Sequence, residues 1–151
     1  MPVIESAAAA AEIKMFSFTK DRQIAAPADI VFETVLQSVG PLSEMKLKIE
    51  PWPGGRWFRD MGNGAGHFWG HVQVIKPPKL LEICGPMMMS YPVSGFLQYR
   101  LVEENGGTKL TLTHQAIGLI KPEHAEGMPK GWTAMLDEVS AISEKRAAGK
   151  K

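Results

Sequence analysis

From Met128 onward the sequence carries a one-sided apolar pattern that few folds can satisfy. At about 100° per residue, Met128, Trp132, Met135, Leu136, Val139 and Ile142 fall within one arc of about 120°. Lys130, Thr133, Asp137, Glu138, Glu144 and Lys145 take the other side. The spacing predicts a long amphipathic helix, and a stripe holding a Trp and two Met needs a broad apolar surface to lie on. The segments before it supply that surface as strands.

Phe18, Lys20, Arg22 and Ile24 alternate with Thr19, Asp21 and Gln23, which predicts an edge strand. Ala26-Pro27 opens a helix, with Pro in the first helical position and Asp29 complementing the positive end of the dipole. Val31, Phe32, Val35, Leu36 and Val39 recur at helical spacing until Gly40-Pro41 stops them. A turn or second short helix over Leu42 to Met45 leads to a strand at Lys46 to Glu50. An antiparallel meander follows: Arg56 to Arg59, His67 to Ile75, Leu80 to Cys84, Gly95 to Val102 and Thr108 to Gln115. The fold class is therefore α+β: a curved antiparallel sheet of six to seven strands, one or two short helices after the first strand, and the long C-terminal helix against the sheet. We place a flexible Ala-rich leader at 1–15, a single domain at 16–145 and a flexible basic tail at 146–151.

With 151 residues the chain has room for one domain and a core that needs no disulfide or metal. Seventeen Lys+Arg against 16 Asp+Glu leave a net charge of +1, so no overall field draws in nucleic acid, and the tail Lys145, Arg146, Lys150, Lys151 reads as a solubilising end. No stretch has the length of a membrane span or signal core. The single Cys84 points to a reducing, cytoplasmic setting; it is read as a small filler, with a reactive thiol as the alternative. Gly62 to Gly66 lacks the Lys and Ser/Thr of a phosphate loop and reads as a hairpin turn. His67 and His71 share a strand face but lie ~13 Å apart at about 3.3 Å per residue, too far for one metal ion. No metal and no cofactor is expected.

Several short runs, in this order, carry a family resemblance: Ile24-Ala25-Ala26-Pro27, Pro53-Gly54-Gly55-Arg56-Trp57, Gly70-His71-Val72 through Ile75-Lys76-Pro77-Pro78-Lys79-Leu80, Gly107-Thr108-Lys109-Leu110-Thr111-Leu112-Thr113-His114, and Gly131-Trp132-Thr133-Ala134-Met135-Leu136-Asp137. They span residues 18–145. Together they resemble the START-like (SRPBCC) superfamily with its helix-grip fold, in the branch related to the activator of Hsp90 ATPase homologue 1-like proteins. The resemblance implies a sheet curled round the C-terminal helix and a cavity between them, often suited to hydrophobic or lipid ligands. It carries no shared catalytic motif.

Alternation then nominates the cavity lining. Leu110 and Leu112 mark the inward face of their strand, which turns His114 inward as either a proton-transfer group or a core histidine held by a backbone carbonyl or a water. Leu97, Tyr99 and Leu101 face in, and the Tyr99 hydroxyl needs a partner such as His114 or a ligand. Phe68, Gly70, Val72 and Val74 are expected inward; His67, Trp69, His71 and Gln73 outward. Trp57 faces in, and Arg59 on the same face reaches the cavity mouth, to bind a ligand carboxylate or to pair with a neighbouring acid. Met87, Met88, Met89 and Tyr91 form either a gate or a cap on the core. Trp132, Met135, Leu136 and Val139 supply the helix wall, and Ser143 falls within the apolar arc.

The function expected is binding of a small hydrophobic or aromatic ligand in a cavity lined by Trp57, Phe68, Met87, Met89, Tyr91, Tyr99, Leu112, His114, Trp132, Met135, Leu136 and Val139. Two alternatives stand beside it: a chaperone-partner or homodimer contact through outward Trp69 and Phe96, and an enzyme with His114 and Tyr99 as acid and base.

Overall fold

A computed structural model describes residues 12–149. Strand β1 (Lys14–Ile24) runs into helix α1 (Ala28–Leu36) and a 3-10 helix (Gly40–Met45). Six strands follow: β2 (Leu47–Ile49), β3 (Arg56–Gly62), β4 (Ala65–Lys76), β5 (Leu80–Cys84), β6 (Val93–Glu104) and β7 (Gly107–Gly118). Helix α2 (Pro122–Gly149) ends the described chain. The strands form one seven-stranded sheet in the order β1-β7-β6-β5-β4-β3-β2, antiparallel throughout, which is the α+β helix-grip arrangement.

Helix α1 begins one residue later than the sequence predicts. Pro27 stays extended at φ −67°, ψ 155°, and its carbonyl accepts the N–H groups of Ile30 at 3.1 Å and Val31 at 3.2 Å. Asp29 does stand in the first turn, its Oδ1 accepting the Ile30 N–H at 2.9 Å. The first and last elements reach beyond 16–145, from Lys14 to Gly149. Strand β1 starts at Lys14, since Phe16 is buried and pairs with Ala116. Helix α2 continues past 145: Ala147 packs on the core, and Arg146 donates to Thr34 Oγ1 at 3.1 Å and Gln37 Oε1 at 2.6 Å. Residues 1–11, Lys150 and Lys151 lie outside the described residues.

Helix α2 buries Met128, Trp132, Met135, Leu136, Val139 and Ser143. Ser143 takes the inner place expected of Ile142, which is only half-buried. From the sheet, Ile24, Leu81, Ile83, Leu97, Leu110 and Leu112 meet this stripe, all of them at or near zero exposure.

Strand β4 overturns the inward and outward assignments made from alternation. Trp57 pairs with Gly70 and Phe58 with Phe68, so Trp69 is an extra residue in a bulge. The bulge turns Trp69 into the core and Phe68 out to solvent, at 2% and 39% exposure, the reverse of what strict alternation gives. His67 moves with Trp69: it pairs with Arg59, whose other partner Leu47 is buried. A second shift between Val72 and Val74 sets Val74 opposite Glu82 and Ile75 opposite buried Leu81, so Ile75 rather than Val74 packs inward. Trp69 is thereby excluded as an outward protein-contact anchor, and Phe96 is half-buried.

The bulge is pinned by a close backbone approach. The Met87 N–H donates to the Trp69 carbonyl at 2.9 Å, and Gly85 lies against Trp69 and Gly70 so closely that a β-carbon there would collide with Gly70 Cα and the Trp69 carbonyl oxygen. Gly85 also has φ +157°, which L side chains rarely adopt. Gly85→Ala is therefore expected to cost about 2 kcal/mol or more of folding stability, read as a lower urea midpoint at unchanged slope; a cost below about 0.5 kcal/mol refutes this account of the bulge.

Candidate functional site

The interior between α2 and strands β6 and β7 is made of buried side chains. His114, Tyr99 and Leu112 are all buried there beneath Met135, Leu136 and Val139. His114 and Tyr99 do not pair. The Nδ1 of His114 instead accepts the Trp132 Nε1–H at 2.9 Å, and the Phe16 ring meets the imidazole edge-on at 5.2 Å between centroids. An indole nitrogen only donates, so Nδ1 is the acceptor and the neutral ring carries its proton on Nε2. That Nε2 has no partner among the described residues. Burial lowers the His114 pKa to about 4 and pushes the Tyr99 hydroxyl up, so at neutral pH both are uncharged. An uncharged His locked to an indole, with no tyrosine beside it, does not make the acid/base pair that the sequence suggested.

Open space lies further along α2, toward its N-terminal half. A pocket of about 150 Å³ is bounded by Pro41, Leu42 and Met45 from the 3-10 helix, Trp69 from the β4 bulge, Met88 from the loop after β5, and Gly127, Met128, Gly131 and Trp132 from α2. The two indoles give it flat walls. Each spends its N–H elsewhere: Trp132 on His114, and Trp69 on His67 Nδ1 at 3.3 Å. Trp69 is further held edge-to-face by Trp57 at 5.1 Å, whose own Nε1 donates to Ser38 Oγ at 3.4 Å. The lining side chains therefore offer the pocket no free polar atom.

Glycine makes the helix side hollow. A β-carbon at Gly127 or Gly131 would meet nothing within 4 Å, and no side chain from either position stands in the pocket. Pro129 between them has no N–H for the preceding turn. Gly127, Pro129 and Gly131 are poor helix formers within one turn, and that local conflict in the sequence was the signal for the pocket.

This architecture and the sequence converge on a family. A family model described as Activator of Hsp90 ATPase homolog 1-like protein matches residues 25–144. The chain belongs to that family. The fold is shared widely at low identity. An uncharacterized protein from Rhizobium leguminosarum superposes with TM-score 0.67 at 20% identity over 89% of this chain and 97% of that one. CalU16 from Micromonospora echinospora gives 0.58 at 21% identity over 93% and 95%. The di-domain ARO/CYC StfQ from the steffimycin biosynthetic pathway gives 0.64 at 14% identity over 89% of this chain and 52% of that one. No match is found among curated proteins. As an Hsp90-activator-homologue-like protein the chain has a fold of the SRPBCC type, and no helix among the described residues is long and apolar enough to cross a membrane.

Of the residues nominated from sequence, Trp132 lines this pocket. Trp57, Met87, Met89, Tyr99, Leu112, His114, Met135, Leu136 and Val139 are core, and Phe68 faces solvent. Met87 and Met89 cap the core while Met88 between them turns to the pocket. Tyr91 bonds His124 Nδ1 at 2.7 Å and accepts the Lys121 N–H at 3.1 Å, tying the loop to the start of α2. Ser143 is buried, and its Oγ has no partner among the described residues.

The buried imidazole predicts a pH dependence. Its folded pKa of about 4 lies below the unfolded value near 6.5, so the unfolded chain binds the extra proton between them. His114 thus leaves stability intact above about pH 6.5 and subtracts up to about 3 kcal/mol as pH falls through that window toward 4. Urea unfolding from pH 7 to 4 checks this: His114→Gln is expected to flatten the loss, and an unchanged pH profile in that variant contradicts it.

Proposed function

We propose that this protein binds a small hydrophobic or aromatic molecule in the pocket between the 3-10 helix, the β4 bulge, the Met88 loop and the glycine-walled turn of α2. The observation that carries this reading is the pocket's lining: two indole faces, four thioether or leucine side chains around them, and no free polar side-chain atom. Filling such a space with water is unfavourable, because a water needs two to four polar partners. A volume of about 150 Å³ suits one aromatic ring or a short branched alkyl group. Met45 and Met88 flank the opening with unbranched side chains that can yield to a somewhat larger guest. An ARO/CYC protein among the structural neighbours supports small-molecule binding as a use of this fold.

Two of the chain's four tryptophans form the walls, so occupancy is readable in intrinsic fluorescence. Titration with indole, toluene and naphthalene is expected to shift Trp emission and to raise the melting temperature in proportion to ligand excess. Gly131→Leu fills the space from a helical position where nothing obstructs the new side chain, and improves helix propensity by about 1 kcal/mol. It is expected to fold at least as stably as wild type and to weaken binding at least about tenfold. Unchanged affinity in that variant, or no response from wild type to any of the three compounds, refutes the proposal.

A further inference from the structure

We propose that the 3-10 helix is a lid, which shifts off the pocket toward the open groove behind it and so admits a guest larger than the single ring that the closed pocket holds. This rests on the pocket reading and adds how the site opens and what size of molecule it takes.

The 3-10 helix has space on two sides. On one, Pro41, Leu42 and Met45 bound the pocket of about 150 Å³. On the other, Pro41 and Met45 again, now with Val39 and Glu44, bound an open groove of about 950 Å³ whose α2 wall is Ala134, Asp137, Glu138 and Ile142. Because the two linings share Pro41 and Met45, the segment that closes the pocket has room to retreat. The surface beneath it is smooth: Gly127, Gly131 and Ala134 follow at steps of four and three along one face of α2, the first two at the pocket and the third at the groove. Along that line α2 presents nothing longer than a methyl group.

The ends of this segment are fixed and its middle is not. At the entry, Gln37 Oε1 accepts from Arg146 at 2.6 Å and Ser38 Oγ accepts the Trp57 N–H at 3.4 Å. At the exit, Leu47 is paired with Arg59 in the sheet. Between them, no hydrogen bond or ion pair among the described residues joins Val39 to Lys46 to another element. The Lys46 N–H goes to the Ser43 carbonyl at 3.2 Å and the Ser43 hydroxyl to the Gly40 carbonyl at 2.7 Å, both within the segment. What holds the lid down is apolar, through buried Val39 and Leu42, and apolar contact is not directional as a hydrogen-bond ladder is. The backbone is left-handed where the fixed ends meet the free middle: Ser38 and Lys46 both have φ +52°, and Gly40 has φ +71°. Residues other than glycine are held in that region by their surroundings, and they gather at ligand clamps and switch segments.

The lid can be locked where it rests on α2. A β-carbon at Gly40 would lie 3.4 Å from Glu138 Cβ, near the separation across a disulfide. Gly40→Cys with Glu138→Cys, in a Cys84→Ser background, is expected to form a bridge on oxidation that pins the lid and to release it on reduction, so the reduced form is the control for any strain at Gly40. Titrations with toluene, naphthalene and acridine, followed by Trp emission, test the two forms. Toluene is expected to bind both alike, and naphthalene and acridine to bind the oxidised form at least about tenfold more weakly than the reduced one. In the wild-type chain, acridine is expected to change amide hydrogen exchange most over Leu42 to Lys46, a measurement that needs no substitution and decides the matter if the bridge fails to close. Oxidised and reduced forms binding all three alike, or an exchange response centred on the Met88 loop, overturns the lid with the pocket standing. Toluene binding to wild type without naphthalene or acridine does the same. Binding of none of the three removes the pocket and the lid together.

Discussion

The seating of α2 on the concave face of the sheet is the contact on which the rest depends, and it is strong where the helix is weak. Gly127, Pro129 and Gly131 stand within five consecutive residues of a 28-residue helix. Relative to alanine, two glycines and one proline cost about 5 kcal/mol of helix propensity. No isolated helix would pass through that turn, so packing must hold it. Met128 and Trp132, interleaved with the three, are both buried, and the Trp132 N–H is tied to His114 on β7. The sheet thus imposes helix on a sequence that resists it. What is gained is an open side: neither Gly127 nor Gly131 puts a side chain into the pocket that Trp69 and the 3-10 helix bound.

His114 belongs to this seating. Its buried, uncharged ring orients an indole, and its Nε2 has no partner among the described residues. Trp132 gains a fixed plane in return. The same logic repeats across the pocket, where His67 takes the Trp69 N–H and Trp57 meets the ring edge-on. Two histidines at the ends of two indoles turn both tryptophans into rigid flat surfaces with their polar ends averted.

What the sequence disclosed follows from which periodicities are unbroken. The 3.6-residue period placed α2 and its stripe, with Ser143 inside the arc, and the two-residue period in β6 and β7 turned Tyr99, Leu112 and His114 inward. Where one residue is inserted, as at Trp69, alternation fails silently: every residue on one side of the bulge changes face, and Phe68, Trp69 and His67 were all misassigned together. Two aromatics in succession before Gly70 are compatible with either phase, so local composition cannot choose; the choice is made by Gly85, whose backbone packs on Trp69 and Gly70 from a distant segment. The pocket lining escaped for a related reason. Pro41, Leu42 and Met45 meet α2 only through tertiary folding, and Gly127 and Gly131 contribute by having no side chain at all, which a search for apolar residues passes over.

These features set how the site can discriminate. Its floor and walls are indole and helix backbone, neither of which can rearrange without disturbing the core, so the fit of the buried group is a matter of fixed shape. Its margin is different: Met45 and Met88 are half-buried and unbranched. On the proposed reading, a guest meets fixed indole at its inner end and yielding thioethers at its outer end. Because the bulge supplies both Trp69 and the His67 that accepts its N–H, the wall and the group that orients it move together.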